Sequence, residues 1–161
     1  MQIRLAKEED LEQVIEIEAI CFPAAEAAEA ATIKERYHTF PQNFLVAEKA
    51  GKVVGFINGC TTHEAKLPDV LYEEVSLHEP DGDIQTVFGL DVLPEYQRQG
   101  IAEALLKEFI LLTKKRGKAG MVLTCKNHLI HYYEKFGFCH QGTSASTHGG
   151  ASWNDMVLLF S

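Results

Sequence analysis

The 161-residue chain carries 15 Lys and Arg against 23 Asp and Glu, a net charge of −8. That balance excludes the broad basic surface of a nucleic-acid binder and leaves a cationic small molecule unrepelled. With 46% hydrophobic and 24% charged residues, the composition suits one globular domain, residues 1–161, with a substantial core.

Met1–Leu5 runs directly into acidic residues, without the apolar stretch of a secretory leader, and no run is long enough to span a membrane. Cys21, Cys60, Cys125 and Cys139 lie far apart and form no C-x-x-C pair. Reduced, mostly buried thiols in a cytoplasmic protein follow as the expectation.

Residues 2–6 read as a first strand. Glu8, Glu9 and Asp10 favour a helix start, and Leu11, Val14, Ile15, Ile17 and Ile20 give that helix an apolar face, closed at Cys21-Phe22-Pro23. The alanine-rich run 24–31 predicts a second helix reaching about Phe40. With few large apolar residues before Ile33 it is weakly anchored: either an exposed helix or a lid over a cleft. Residues 44–49 and 52–60 form a hairpin around Ala50-Gly51. Residues 61–83 are acidic and aperiodic, a long loop with one irregular helical turn.

The next stretch, Val87 through Ala102, reads as an apolar strand, a Pro- and Gly-bearing turn and the start of a helix. Leu105, Leu106, Phe109, Ile110 and Leu112 form the helix's apolar stripe, and Gly117 stops it. A helix N-terminus presents unpaired N–H groups and partial positive charge, and Gly100 with Ala102 permits close approach, so this turn is a candidate phosphate site. Neither Gly-x-x-x-x-Gly-Lys-Ser/Thr nor an early Gly-x-Gly-x-x-Gly is present. Residues 119–125 follow as a buried strand, 127–136 as a helix closed by Gly137, then a strand from Phe138, a mobile Ser/Thr/Gly loop at 142–152 and a last strand at 153–160.

Gln97-Arg98-Gln99-Gly100-Ile101-Ala102, following Leu90-Asp91-Val92-Leu93-Pro94-Glu95-Tyr96, resembles the Arg/Gln-x-x-Gly-x-Gly/Ala signature of GCN5-related N-acetyltransferases. Tyr133-Glu134-Lys135-Phe136-Gly137-Phe138 resembles a second motif of the same family. Together with Cys21-Phe22-Pro23, Gly55 to Gly59 and Leu77-His78-Glu79-Pro80, these are most similar to the aralkylamine N-acetyltransferase branch. The resemblance implies a mixed α/β (α+β) domain whose central, mostly antiparallel sheet is splayed between its fourth and fifth strands. It implies acetyl-CoA as acetyl donor, held by Leu90, Asp91, Val92, residues 97–102, Asn127 and Tyr133, with no metal. A small primary amine would be acetylated directly, contacting Phe22, Pro23 and Phe88, with a homodimer as one allowed assembly. Tyr133 is expected to protonate the departing thiolate. Thr86 and Phe88 stand where the branch carries His-x-His, so the proton acceptor is open: His78 first, then His63, Glu74 and His131. Other amines, or acyl-CoA binding without catalysis, are the competing readings.

Overall fold

Phe44–Lys49 (β2) shows how the apolar pattern becomes layers. Alternate residues of a strand face opposite sides of the sheet. Here Phe44 and Val46 enter one core with Val14, Ile17 and Ile33, while Leu45 and Ala47 enter another with Leu105, Leu106 and Phe109. Both faces are covered by helices, so the strand is apolar along most of its length rather than alternating.

The computed structural model describes residues 1–161. The first sheet has the order β1 (Gln2–Leu5), β2, β3 (Lys52–Asn58), β6 (Gly89–Val92), all antiparallel. The second has the order β4 (Thr61–Thr62), β5 (Ile84–Val87), β7 (Gly120–Cys125), β9 (Asn154–Leu159), β8 (Cys139–Thr143), with β5 and β7 parallel. Helices α1 (Leu11–Cys21) and α2 (Ala30–Thr39) cover one face of the first sheet, and α4 (Ile101–Lys115) fills the space behind the other. Two single-turn helices, α3 (Asp69–Glu73) and α5 (Ile130–Glu134), complete the chain.

This is the mixed, splayed architecture the resemblance implies. The splay falls between β6 and β7; the short β4 and a break at Phe88 add two to the strand count. What reads as one central strand is therefore divided, its first part serving one sheet and its second part the other.

Several boundaries differ from the sequence reading. The alanine run does not start the second helix: the amides of Glu26 and Ala27 both donate to Pro23, closing one turn, and α2 begins only at Ala30. Its anchorage is firmer than expected, because Ile33 and Arg36 are both buried. On α1, Ile20 is 50% exposed and Ile15 half-buried, whereas Glu18 is buried. Helical spacing explains the exchange, since Glu18 lies seven residues after Leu11 and four after Val14 on the same stripe. The 61–83 segment holds β4, α3 and a 3-10 turn over buried Leu67 and Leu71. In the 144–153 segment Ser146 and Thr147 contact Asp69, and His148 contacts Glu26. All four cysteines are unpaired thiols; Cys60 and Cys125 are buried, Cys21 half-buried and Cys139 exposed.

Candidate active site

At β6 the hydrogen bonds show what the splay leaves open. The Leu93 N–H donates to the Val54 carbonyl at 2.9 Å. Strand alternation then turns the backbone groups of Asp91 towards β3 and those of Leu90 and Val92 away from it. Phe88 interrupts the alternation: its N–H donates to Asn58 at 2.8 Å, although Gly89 is the residue paired with Asn58. The extra residue acts as a bulge, and pairing passes from β7 to β3 across it. The Val92 carbonyl is occupied by the Gln97 amide at 3.0 Å and the Cys21 thiol at 3.3 Å. The Val92 N–H and the backbone of Leu90 face the gap between the sheets.

The turn after β6 presents a second set of donors. Arg98 and Gly100 both have left-handed backbones, with φ of 63° and 80°. At Gly100, the N-cap of α4, a Cβ would meet nothing within 4 Å, so glycine serves the backbone angle and leaves open space outside it. Ala104 is the first α4 amide to bond back, to Gly100, at 3.0 Å. The N–H groups of Ile101, Ala102 and Glu103 precede that bond and point out of the helix end. Gln97 is turned inward by its bond to Val92, and Gln99 accepts from Lys49 at 2.9 Å.

Beside these groups lies a cleft of about 570 Å³. It brings together Phe22, Pro23, Phe88, Leu90 and Tyr133, five positions singled out in the sequence from three separate segments. Tyr133 is 9% exposed and packs edge-on to Phe138. Burial pushes its phenol well above the usual tyrosine range, with nearby Cys125 adding to the effect. It therefore stays protonated throughout the neutral range and is a donor.

A family model described as the acetyltransferase (GNAT) family matches residues 11–138. The chain belongs to that family. This acetyltransferase is 27% identical to the serotonin N-acetyltransferase of Mesocricetus auratus, over 96% of its own length and 75% of the relative's. It is 33% identical to the [ribosomal protein bS18]-alanine N-acetyltransferase of Escherichia coli K12, over 66% of its length and 70% of the relative's. Its fold superposes on GphF, a GNAT-like decarboxylase in complex with isobutyryl-CoA, with a TM-score of 0.83, 19% identity and 99% of each chain covered. The enzyme is an acyltransferase, and no helix is long and apolar enough to cross a membrane.

The acetyltransferase's other sequence-selected residues are dispersed. Asn127 does not line the cleft; its side-chain oxygen accepts from Asn154 at 2.7 Å. His78 does not line it either: its ring packs on Phe40, its Nδ1 accepts the Thr61 amide at 3.1 Å, and burial lowers its pKa. His63 and His131 are surface residues paired with carboxylates, and Glu74 is exposed. Thr86 is fully buried, donating to the Cys60 carbonyl at 3.0 Å. Asp91 turns its carboxyl away from the gap, into the α1 side of the sheet beside Glu18, and burial followed by the Glu18 contact raises its pKa well above the carboxylate range.

The acetyltransferase's outer wall was not legible in advance. The 22–29 connection is tied across the cleft mouth: Glu26 pairs with Lys126 at 2.8 Å, and its carbonyl contacts the His148 ring at 2.7 Å. Trp153 donates to the His148 carbonyl at 2.9 Å, and the Lys126 ammonium lies 5.6 Å from the Trp153 ring centre. Ser146 and the Thr147 amide hold Asp69 from the second sheet's side. Tyr72, its pKa raised by burial to about 12, shares a hydrogen bond of 3.0 Å with Thr124 and packs at a tilt against Phe88, ring centres 4.9 Å apart. Arg36 lies 4.5 Å above the Phe88 ring.

Proposed function

We propose that the enzyme transfers acetyl from acetyl-CoA directly to a small primary amine bearing an aromatic group. One observation carries the reading: a single cleft is lined by Tyr133 together with the aromatic Phe22, Phe88 and Trp153 and the carboxylate Glu18. Such a wall suits a cation attached to an aromatic ring.

The residues fit the donor as well. The outward amides of residues 101–103, at a helix N-terminus with open space beside Gly100, suit a diphosphate. The Leu90 backbone and the Val92 N–H form an unpaired strand edge suited to an amide-bearing arm. When bound, acetyl-CoA supplies an already activated thioester. Tyr133, kept protonated by burial, donates to the departing sulfur. Residues 97–102 orient the donor, and Phe22, Pro23 and Phe88 position the amine.

A thiol-release assay tests this with phenethylamine, tryptamine, spermidine, an aminoglycoside and a peptide beginning with alanine. The arylalkylamines are expected to give the highest kcat/KM. The identity to the alanine N-acetyltransferase favours a peptide α-amine as the second reading, and the peptide giving the highest value would establish it instead. Coenzyme binding without transfer to any amine would indicate a binding module. A sedimentation measurement settles whether the chain is a homodimer.

A further inference from the structure

A primary amine with a pKa near 10.4 is neutral in only about one molecule in a few thousand at pH 7, so the cleft needs a proton acceptor. His63, His78 and His131 do not line the cleft, and the buried stripe of α1 offers a carboxylate that does. Glu18 lines the cleft and is 7% exposed; its Oε2 is fixed by the Ala28 N–H at 2.8 Å. Next to it, Asp91 is 2% exposed, and neither of its oxygens receives a conventional donor. Gly89 lines the cleft directly above the pair: a Cβ there would lie 3.3 Å from Asp91 Oδ1 and 3.6 Å from Glu18 Oε1. Glycine at this position therefore adds no side chain of its own between the cleft and the two carboxyl groups.

We propose that Glu18 is the catalytic residue that takes the amine proton, with Asp91 as a positioning residue that shares one proton with it. This rests on the acetyl-transfer reading above. Two carboxylates are acceptors only, so their contact requires a proton between them. The charge count gives the same answer. Arg36 is the buried cation acting on both, but it donates to the Tyr72 carbonyl and covers Phe88 instead of pairing with either carboxylate. One cation offsets one carboxylate, and the other carboxyl keeps its proton. Burial and the Glu18 contact identify that one as Asp91. Other titratable groups lining the same cleft are Cys21 on α1, Glu26 paired with Lys126, Glu29, Tyr72 and Glu73 on α3, Cys125 on β7, His128, Tyr133 on α5 and His148.

The protons balance. Glu18 takes one proton from the ammonium, and the freed electron pair forms the C–N bond as the C–S bond breaks. Tyr133 protonates the sulfur and regains a proton from the acylated nitrogen, and Glu18 releases its proton to water.

The test compares wild type and Glu18→Gln with acetyl-CoA and phenethylamine across pH 6–10, after melting and acetyl-CoA titration confirm that the variant is folded. Glutamine still accepts from Ala28. The expected loss is about a hundredfold in kcat near neutrality. It should shrink about tenfold per pH unit on the alkaline side as free amine accumulates, a rescue that a merely structural role would not give. An unchanged kcat with a parallel pH profile overturns the proposal. Infrared spectroscopy of wild type supplies a readout that needs no variant. A protonated carboxyl band at pH 7, displaced by 13C-aspartate labelling, is expected, and its absence overturns the shared proton even where Glu18→Gln does not fold. Wild type inactive on every amine in the panel overturns the acetyl-transfer reading itself; wild type active with Glu18→Gln unimpaired overturns this inference alone.

Discussion

The two halves of the cleft are built on different principles. On the acetyl-transfer proposal the donor half is made of backbone: the outward groups of Leu90, which lines the cleft, and beyond it those of Val92 and the first amides of α4, all within residues 90–103. The acceptor half is made of side chains drawn from α1, the 22–29 connection, α3, β7 and the 144–153 loop. Backbone donors depend on local turn chemistry and tolerate most side chains, so one short contiguous stretch specifies them. A wall of side chains depends on how distant elements pack. The difference predicts that damage to the donor half weakens coenzyme binding for every amine, whereas damage to the acceptor half changes which amine is used and how fast.

The largest expected effect is at the junction. Tyr133→Phe keeps the ring's packing on Phe138 and removes only the donor, so kcat should fall about a hundredfold or more while acetyl-CoA affinity is kept. Stopped-flow transfer and calorimetric titration of the same preparation check both halves of that statement. On the donor side, Gly100→Val places a branched residue where φ is 80° and a side chain where the space is open. Acetyl-CoA binding should weaken about tenfold, or about 1.4 kcal/mol, with the KM of the amine unchanged. An equal change in both constants would merge the two halves into one.

On the acceptor side, Phe88→Leu removes the ring that lies against Tyr72 and under Arg36. The KM for phenethylamine should rise about fivefold, from the lost aromatic contact, with little change for an aliphatic amine. The smallest effect is in stability. Because the Asp91 pKa is raised, the folded chain binds a proton that the unfolded chain releases above about pH 4. Stability is therefore lost as pH rises from there towards the folded-state pKa. Asp91→Asn should flatten that slope, as measured by urea unfolding between pH 4 and 8.

The same division explains what the sequence disclosed. The α4 stripe, the Ala50-Gly51 hairpin and the Gln97–Ala102 turn are local patterns, and each forms where the chain predicts it. Phe22, Pro23, Phe88 and Tyr133 reach one cleft because the resemblance placed them there, not because spacing could. His78 looks suitable by its position before the central strand, yet it caps a 3-10 turn, accepts the Thr61 amide and packs its ring on Phe40. The alanine run misled because intrinsic propensity is small beside the tertiary contacts that draw the Ala28 amide to Glu18. Glu18 does carry a sequence signal, a carboxylate on the apolar stripe of an amphipathic helix where a hydrophobic residue belongs. Asp91 could not have been paired with it from sequence, since 73 positions separate two side chains that meet only when α1 packs on β6.

The central claim is that backbone at the α4 N-terminus and along β6 aims a thioester at Tyr133. A crystal structure with acetyl-CoA tests it most directly. The account predicts diphosphate oxygens on the amides of residues 101–103 and the sulfur within hydrogen-bond reach of the Tyr133 hydroxyl. A diphosphate bound elsewhere, or a sulfur remote from that hydroxyl, would contradict it.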